Sequence, residues 1–223
     1  MQPIVRLRSA VCLLGRFPAL AGVDLDADEG EVVLLSGGNG AGKTTLLRMI
    51  AGLVPVHSGE AVVLGHDLTR DRRSHRAQVA LVGHETGCYD DLTAAENVEF
   101  AVGAAGRDRA DVAPALDAVG LAPLADVPHG RMSAGQRRRL SLAIAVARAP
   151  RLLLLDEPHA GLDAEGRAVL DGLLTSARDD GRTVLIASHE LDRARALADR
   201  EVVLTAGQAH GALDARGRAV VPT

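Results

Sequence analysis

The eight residues Gly37-Gly38-Asn39-Gly40-Ala41-Gly42-Lys43-Thr44 fit the pattern G-x-x-x-x-G-K-[ST]. Glycines let successive backbone N–H groups curl around phosphate oxygens. The Lys43 ammonium would reach the β- and γ-phosphates of a nucleotide, and the Thr44 hydroxyl would ligate Mg²⁺. The chain has 25 basic residues, and Lys43 is its only lysine. A GC-rich genome accounts for the arginines. It does not account for the lone lysine lying inside this loop.

A second candidate is Leu152-Leu153-Leu154-Leu155-Asp156-Glu157. It reads as a buried strand ending in two carboxylates, and Pro158 stops the strand there. Ligands bind beyond the carboxyl ends of parallel strands, so both acids point at a site. Asp156 would hold Mg²⁺, and Glu157 would polarise an attacking water as general base. Ser133-Ala134-Gly135-Gln136 opens a helix. It is either a plain serine cap or a second anion-binding helix start. Arg137, Arg138 and Arg139 follow as a solvated face or as added attraction for an anion. His189 lies 33 residues after Asp156, at the end of the next strand, where neutral imidazole could touch a γ-phosphate.

These groups need a scaffold that gathers distant segments at one edge. Glu31–Ser36 is an apolar run that reads as a buried strand just ahead of the loop. Lys43–Ala51 reads as a helix stopped by Gly52. Pro3–Leu14 reads as extended, with Glu60–Leu64 and Val79–Gly83 as further strands. Thr93 with Glu96 marks a capped helix running towards Gly103. Asp111–Val119 is another helix, ended by Gly120, and Ser133 caps one running to about Ala149. Strand Leu152–Leu155, helix Ala164–Arg178, strand Thr183–Ala187, helix Glu190–Leu197 and strand Glu201–Thr205 follow. This alternation predicts an α/β fold with a mostly parallel, doubly wound sheet. The stretch from about Thr86 to Arg148 is helical only and reads as an inserted subdomain. Gly211–Thr223 carries no strong pattern.

Composition bounds the function. The 223 residues are 47% hydrophobic and 24% charged, enough for one medium α/β domain and incompatible with a disordered chain. A net charge of −4 gives no basic imbalance pointing to nucleic acid. Cys12 and Cys88 form no disulfide framework, so a reducing compartment is expected. No apolar run approaches the length of a membrane span, and the N-terminus shows no signal-peptide pattern. Any membrane-spanning part is expected from another chain.

Taken in order, these elements resemble the ATP-binding subunits of ABC transporters. Met132–Gln136 (MSAGQ) is similar to the family signature, Ala160-Gly161-Leu162-Asp163 to its D-loop and His189 to its switch histidine. The resemblance runs from about Ile4 to Gly207. It implies a P-loop NTPase (RecA-like) parallel-sheet core with an N-terminal antiparallel β part. One domain would span 1–223, with the core at about 27–85 and 150–208, a helical insert at about 86–149 and a tail at 209–223.

The resemblance also implies ATP as substrate, bound along Gly37, Gly38, Asn39, Gly40, Ala41, Gly42, Lys43, Thr44 and Thr45. It implies Mg²⁺ on Thr44 and Asp156, and catalysis by Lys43, Glu157 and His189. A second ATP-binding subunit would pair head-to-tail, with Ser133, Ala134, Gly135, Gln136 and Asp163 acting in trans on its nucleotide. A transmembrane permease would complete the transporter. The chain would then sit peripherally on the cytoplasmic side of the inner or plasma membrane. No nucleic-acid partner is expected.

Within the family the chain most resembles the haem-exporter ATPases of cytochrome c maturation. The residues concerned are the S-A-G-Q signature, Leu81-Val82-Gly83-His84-Glu85 and Asp91-Leu92-Thr93-Ala94-Ala95-Glu96-Asn97. Another cargo, or a soluble ATPase serving iron–sulfur cluster assembly, is the alternative. The family usually has Gln where this chain has His84, which implies a coupling role there. Leu14 stands where the family often stacks adenine on an aromatic ring, with Phe17 three residues on. Gly38 replaces a usual Pro.

Overall fold

The chain opens with a hairpin of β1 (Val5–Leu14) and β2 (Phe17–Ala27), paired antiparallel. The computed structural model describes residues 3–83, 86–214 and 219–220. After the hairpin come β3 (Val32–Ser36), α1 (Lys43–Ile50), β4 (Ser58–Val63), β5 (His66–Asp67) and β6 (Val79–Val82). The helices α2 (Ala94–Ala104), α3 (Val112–Ala118) and α4 (Ala134–Ala147) follow. Then β7 (Leu152–Asp156), α5 (Ala164–Asp179), β8 (Thr183–Ala187), α6 (Leu191–Leu197), β9 (Arg200–Thr205), β10 (Gln208–Asp214) and β11 (Ala219–Val220) complete the order.

The strands form two sheets. One is four-stranded, ordered β2-β1-β4-β5 and antiparallel throughout. The other is seven-stranded, ordered β11-β10-β9-β3-β8-β7-β6, and parallel from β9 to β6. The segment read as Glu60–Leu64 therefore belongs to the antiparallel sheet. Around Gly211 the outcome differs from the sequence reading: β10 turns back at Ala206–Gly207 and pairs antiparallel with β9. Its residues lack a clean alternation, and the pairing uses the sheet edge that β9 offers.

The central strands read as unbroken apolar runs because both their faces are covered. Val33 and Leu35 of β3, Leu152 and Leu154 of β7, and Leu185 of β8 face a core shared with α1 and the antiparallel sheet. Val32, Leu34, Leu153, Leu155, Val184 and Ile186 face a second core formed with α2 to α6. A one-residue slip would exchange the two faces, so the register is firmly set. Leu35, Ala187 and Asp156 lie side by side across β3, β8 and β7. The residues just beyond them therefore emerge along one edge. Adjacent strands are about 4.8 Å apart, so β3 and β7 end about 10 Å from each other.

Between β6 and β7 lie α2, α3 and α4, packed on one another. Thr93 and Glu96 form a capping box at α2. Asn97, buried, fixes the loop before that helix. Its side chain accepts from Tyr89 N at 2.8 Å and donates to the carbonyls of Tyr89, Leu92 and Thr93. Among the described residues, no helix is long and apolar enough to cross a membrane.

Candidate active site

The loop after β3 is shaped by its glycines. Gly37 has φ +135°, and a Cβ there would lie 2.2 Å from the Leu204 carbonyl oxygen of β9. Gly42 has φ +105°, and a Cβ there would lie 2.8 Å from the Ala19 carbonyl oxygen. The loop is thus wedged between β9 and the β1–β2 hairpin at positions only glycine can occupy. Gly42 is also the N-cap of α1, with no side-chain cap and no acidic residue in the first turn. Helices α2, α4 and α5 each start with a capping side chain, from Thr93, Ser133 and Asp163. The first N–H groups of α1 and its positive end thus remain available to an anion. Lys43 is only 7% exposed. Its ammonium donates to the carbonyls of Gly37 at 2.7 Å and Gly38 at 3.1 Å, lying across the mouth of the loop.

Opposite the loop stand the ends of β7 and β8. A cavity of about 360 Å³ is lined by Asn39 to Thr45, Asp156, Glu157 and His189, with Leu14 and Ala19 at one side. Such a volume suits a small organic ligand. Asp156 is buried at the last position of β7. Glu157 has φ +49°, in the left-handed region. For a non-glycine residue that costs roughly 1–2 kcal/mol. The turn directs the Glu157 carboxylate sideways to the next strand end. There Oε2 accepts from the His189 backbone N–H at 3.0 Å, and Oε1 lies 3.3 Å from His189 Nε2. The Glu157 side chain is 19% exposed and that of His189 51%. A carboxylate so held, in a cavity beside backbone N–H groups open to an anion, can take a proton from a water attacking phosphorus.

Other predicted residues lie elsewhere. Ser133 caps α4: its hydroxyl accepts from Gln136 N, and its own N–H donates to Gln136 Oε1 at 2.8 Å. Neither Ser133–Gln136 nor Asp163 lines the phosphate-loop cavity of its own chain. Gly135 and Gly161 do approach each other, since a Cβ on Gly135 would sit 3.5 Å from the Gly161 carbonyl oxygen. The signature-like and D-loop-like segments therefore share one exposed surface. Phe17 is 80% exposed and does not line the cavity, whereas Leu14 does. His84 and Glu85 lie outside the described residues.

The arginines after Gln136 are not a solvated face. Arg137 donates to the carbonyls of Met132 and Gly130, and Arg139 to that of Val119. Arg138 turns inward to the ends of β6 and β7, where its Nη2 donates to Asp156 O at 2.9 Å and Glu157 O at 2.8 Å. Burial pulls its pKa down, against the pull of Asp156 and Glu157, which raise it. Sequence spacing carries no signal for this, because the acceptors are carbonyls of a distant strand. Glu201 was also missed. It is buried on β9, its carboxylate bonded bidentately by Arg195 at 2.8 and 3.2 Å. The Arg195 hydrogen bonds chiefly hold its pKa below the ordinary glutamate value.

A loop backbone open to an anion, one cation and two carboxylates thus meet at the carboxyl edge of a parallel sheet, the arrangement that defines the P-loop NTPases. Residues 20–160 match the ABC transporter family. The cytochrome c biogenesis ATP-binding export protein CcmA of Bordetella bronchiseptica is 42% identical over 185 residues, covering 82% of this chain and 83% of that one. The sulfate/thiosulfate import ATP-binding protein CysA of Methylococcus capsulatus is 38% identical, covering 92% of this chain and 61% of that one. A dimeric ATP-binding cassette, solved in a post-hydrolysis state with ADP and Pi, superposes with a TM-score of 0.88. It is 27% identical and covers 96% of this chain and 99% of that one. The chain belongs to the ATP-binding subunits of ABC transporters and is an ATPase.

Proposed function

We propose that this ATPase powers haem export for cytochrome c biogenesis, acting through a separate transmembrane permease at the cytoplasmic face of the membrane. The catalytic reading is carried by the convergence of Asn39–Thr45, Asp156, Glu157 and His189 on one cavity. The cargo reading is supported by similarity to CcmA over most of both chains. In this mechanism Lys43 leaves the carbonyls of Gly37 and Gly38 for the β- and γ-phosphates. The backbone N–H groups of the loop and of α1 hold the remaining oxygens. Glu157 orients the attacking water and accepts its proton, and His189 contacts the γ-phosphate.

Thr44 and Asp156 both offer oxygen donors to the cavity, a set that fits Mg²⁺. Among the described residues there is no cluster of three or more His, Cys, Asp or Glu, and Mg²⁺ on a nucleotide needs none. Held by Thr44 and Asp156, Mg²⁺ would supply neutralisation of the charge that develops on the phosphates. Two copies pair head-to-tail, so that Ser133–Gln136 and Asp163 of one subunit close on the nucleotide of the other. The shared surface of Gly135 and Gly161 supports that pairing.

The test has two arms. Purified Glu157→Gln should bind ATP but hydrolyse it at least about a hundredfold more slowly, since only the proton acceptor changes. In the source strain, deletion should abolish haem-stained c-type cytochromes, restored by the parent chain and not by Glu157→Gln. Normal turnover by Glu157→Gln would overturn the catalytic reading. Intact c-type cytochromes after deletion would overturn the cargo.

A further inference from the structure

Arg138 brings three segments together. It stands in the second turn of α4, five residues after Ser133. Its Nη1 donates to the Gly83 carbonyl just past β6, and its Nη2 to the carbonyls of Asp156 and Glu157. Its Nε lies 3.4 Å from the Pro158 carbonyl. A regular strand sends consecutive carbonyls to opposite sides. Here the left-handed Glu157 turns the chain, so that the carbonyls of residues 156 and 157 face one nitrogen. The guanidinium fork matches this arrangement, and an ammonium cannot reproduce its several fixed donors. No other described residue of α4 bonds the backbone of the 156–158 turn.

We infer that Arg138 is a positioning residue, which holds the Asp156–Glu157 turn in register with the Ser133 end of α4 and thereby ties hydrolysis to the position of the helical insert. This rests on the proposed function, in which Ser133 meets the partner subunit's nucleotide. One guanidinium then links the acid pair of a subunit's own site to the surface reading the opposite site. Displacing α4 pulls directly on the peptide that aims Glu157. A misplacement of this kind lowers turnover without altering the phosphate loop, so kcat falls while KM holds.

Arg138→Lys and Arg138→Gln are compared with Arg139→Lys, whose parent side chain bonds only Val119 O within the insert. The expected result for both Arg138 variants is a kcat lower by about tenfold with KM for ATP within about twofold of the parent. Arg139→Lys should keep kcat within about twofold, even at an equal loss of thermal stability. Amide hydrogen exchange supplies a readout independent of activity. The peptide Leu155–Ala160 should exchange faster in Arg138→Lys, while the α2 peptide Val98–Ala104 should not change. Parent-like kcat in Arg138→Lys, an equal kcat loss in Arg139→Lys, or unchanged exchange at Leu155–Ala160 overturns the inference. If instead Glu157→Gln turns over normally, the proposed function fails, and the exchange result still decides whether Arg138 holds this turn.

Discussion

Glu157 combines two properties that substitution can separate: a carboxylate in the cavity and a left-handed backbone at φ +49°. Glu157→Ala and Glu157→Gly both remove the carboxylate and its bond from His189 N, so those losses cancel in the comparison. Only the backbone preference remains. Alanine keeps the left-handed penalty of roughly 1–2 kcal/mol, and glycine has almost none. Glycine also gains unfolded-state entropy, which lowers its stability by about 0.4–1 kcal/mol. Taken at the middle of each range, the net advantage of glycine is about 0.8 kcal/mol. In a chain of this size that raises the melting temperature by about 1–4 °C. Thermal unfolding of the two nucleotide-free variants, followed by circular dichroism, measures it. Both variants should be inactive in phosphate release, so the more stable one gains no function. An alanine variant as stable as the glycine variant would show that the turn relaxes on mutation, and the strain argument would fail.

Three further outcomes follow from the same geometry. Gly37→Ala places a methyl 2.2 Å from the Leu204 carbonyl at a φ alanine avoids, so it should lose ATP binding in calorimetry and melt well below the parent. Glu201→Gln should lower stability at neutral pH by about 1–2 kcal/mol, the scale of a charged hydrogen bond. Because the folded-state pKa of Glu201 lies below its ordinary 4.5, the parent's advantage is full above that value and fades as pH falls through the depressed one. Urea titrations of both proteins at pH 7 and near pH 3 measure this, and a gap that widens in acid would contradict the sign. Gel filtration of Glu157→Gln with Mg-ATP should show a dimer that Ser133→Arg, added to it, removes. A persisting dimer would leave Ser133 as the α4 cap alone.

Local chemistry made much of this protein legible. The loop Gly37–Thr44, the acid pair after Leu152–Leu155 and the Thr93 cap each arise from neighbours in sequence. Their signals are glycine conformation, an unbroken apolar run and a reciprocal hydrogen bond. The two-faced burial of β3, β7 and β8 was likewise written in runs without polar interruption. What the sequence could not supply were partners chosen by the sheet. Arg138 looked like one of three surface arginines because its acceptors are backbone carbonyls, which every residue carries. Strand β10 showed no pattern because what joins it to β9 is a backbone ladder, which any residues can form. The left-handed turn at Glu157 sits at a residue with no conformational signature, held by Arg138 on one side and His189 on the other. Short-range order follows from side-chain type. Long-range partnership depends on where the register of five parallel strands delivers their ends, and only the folded chain fixes that.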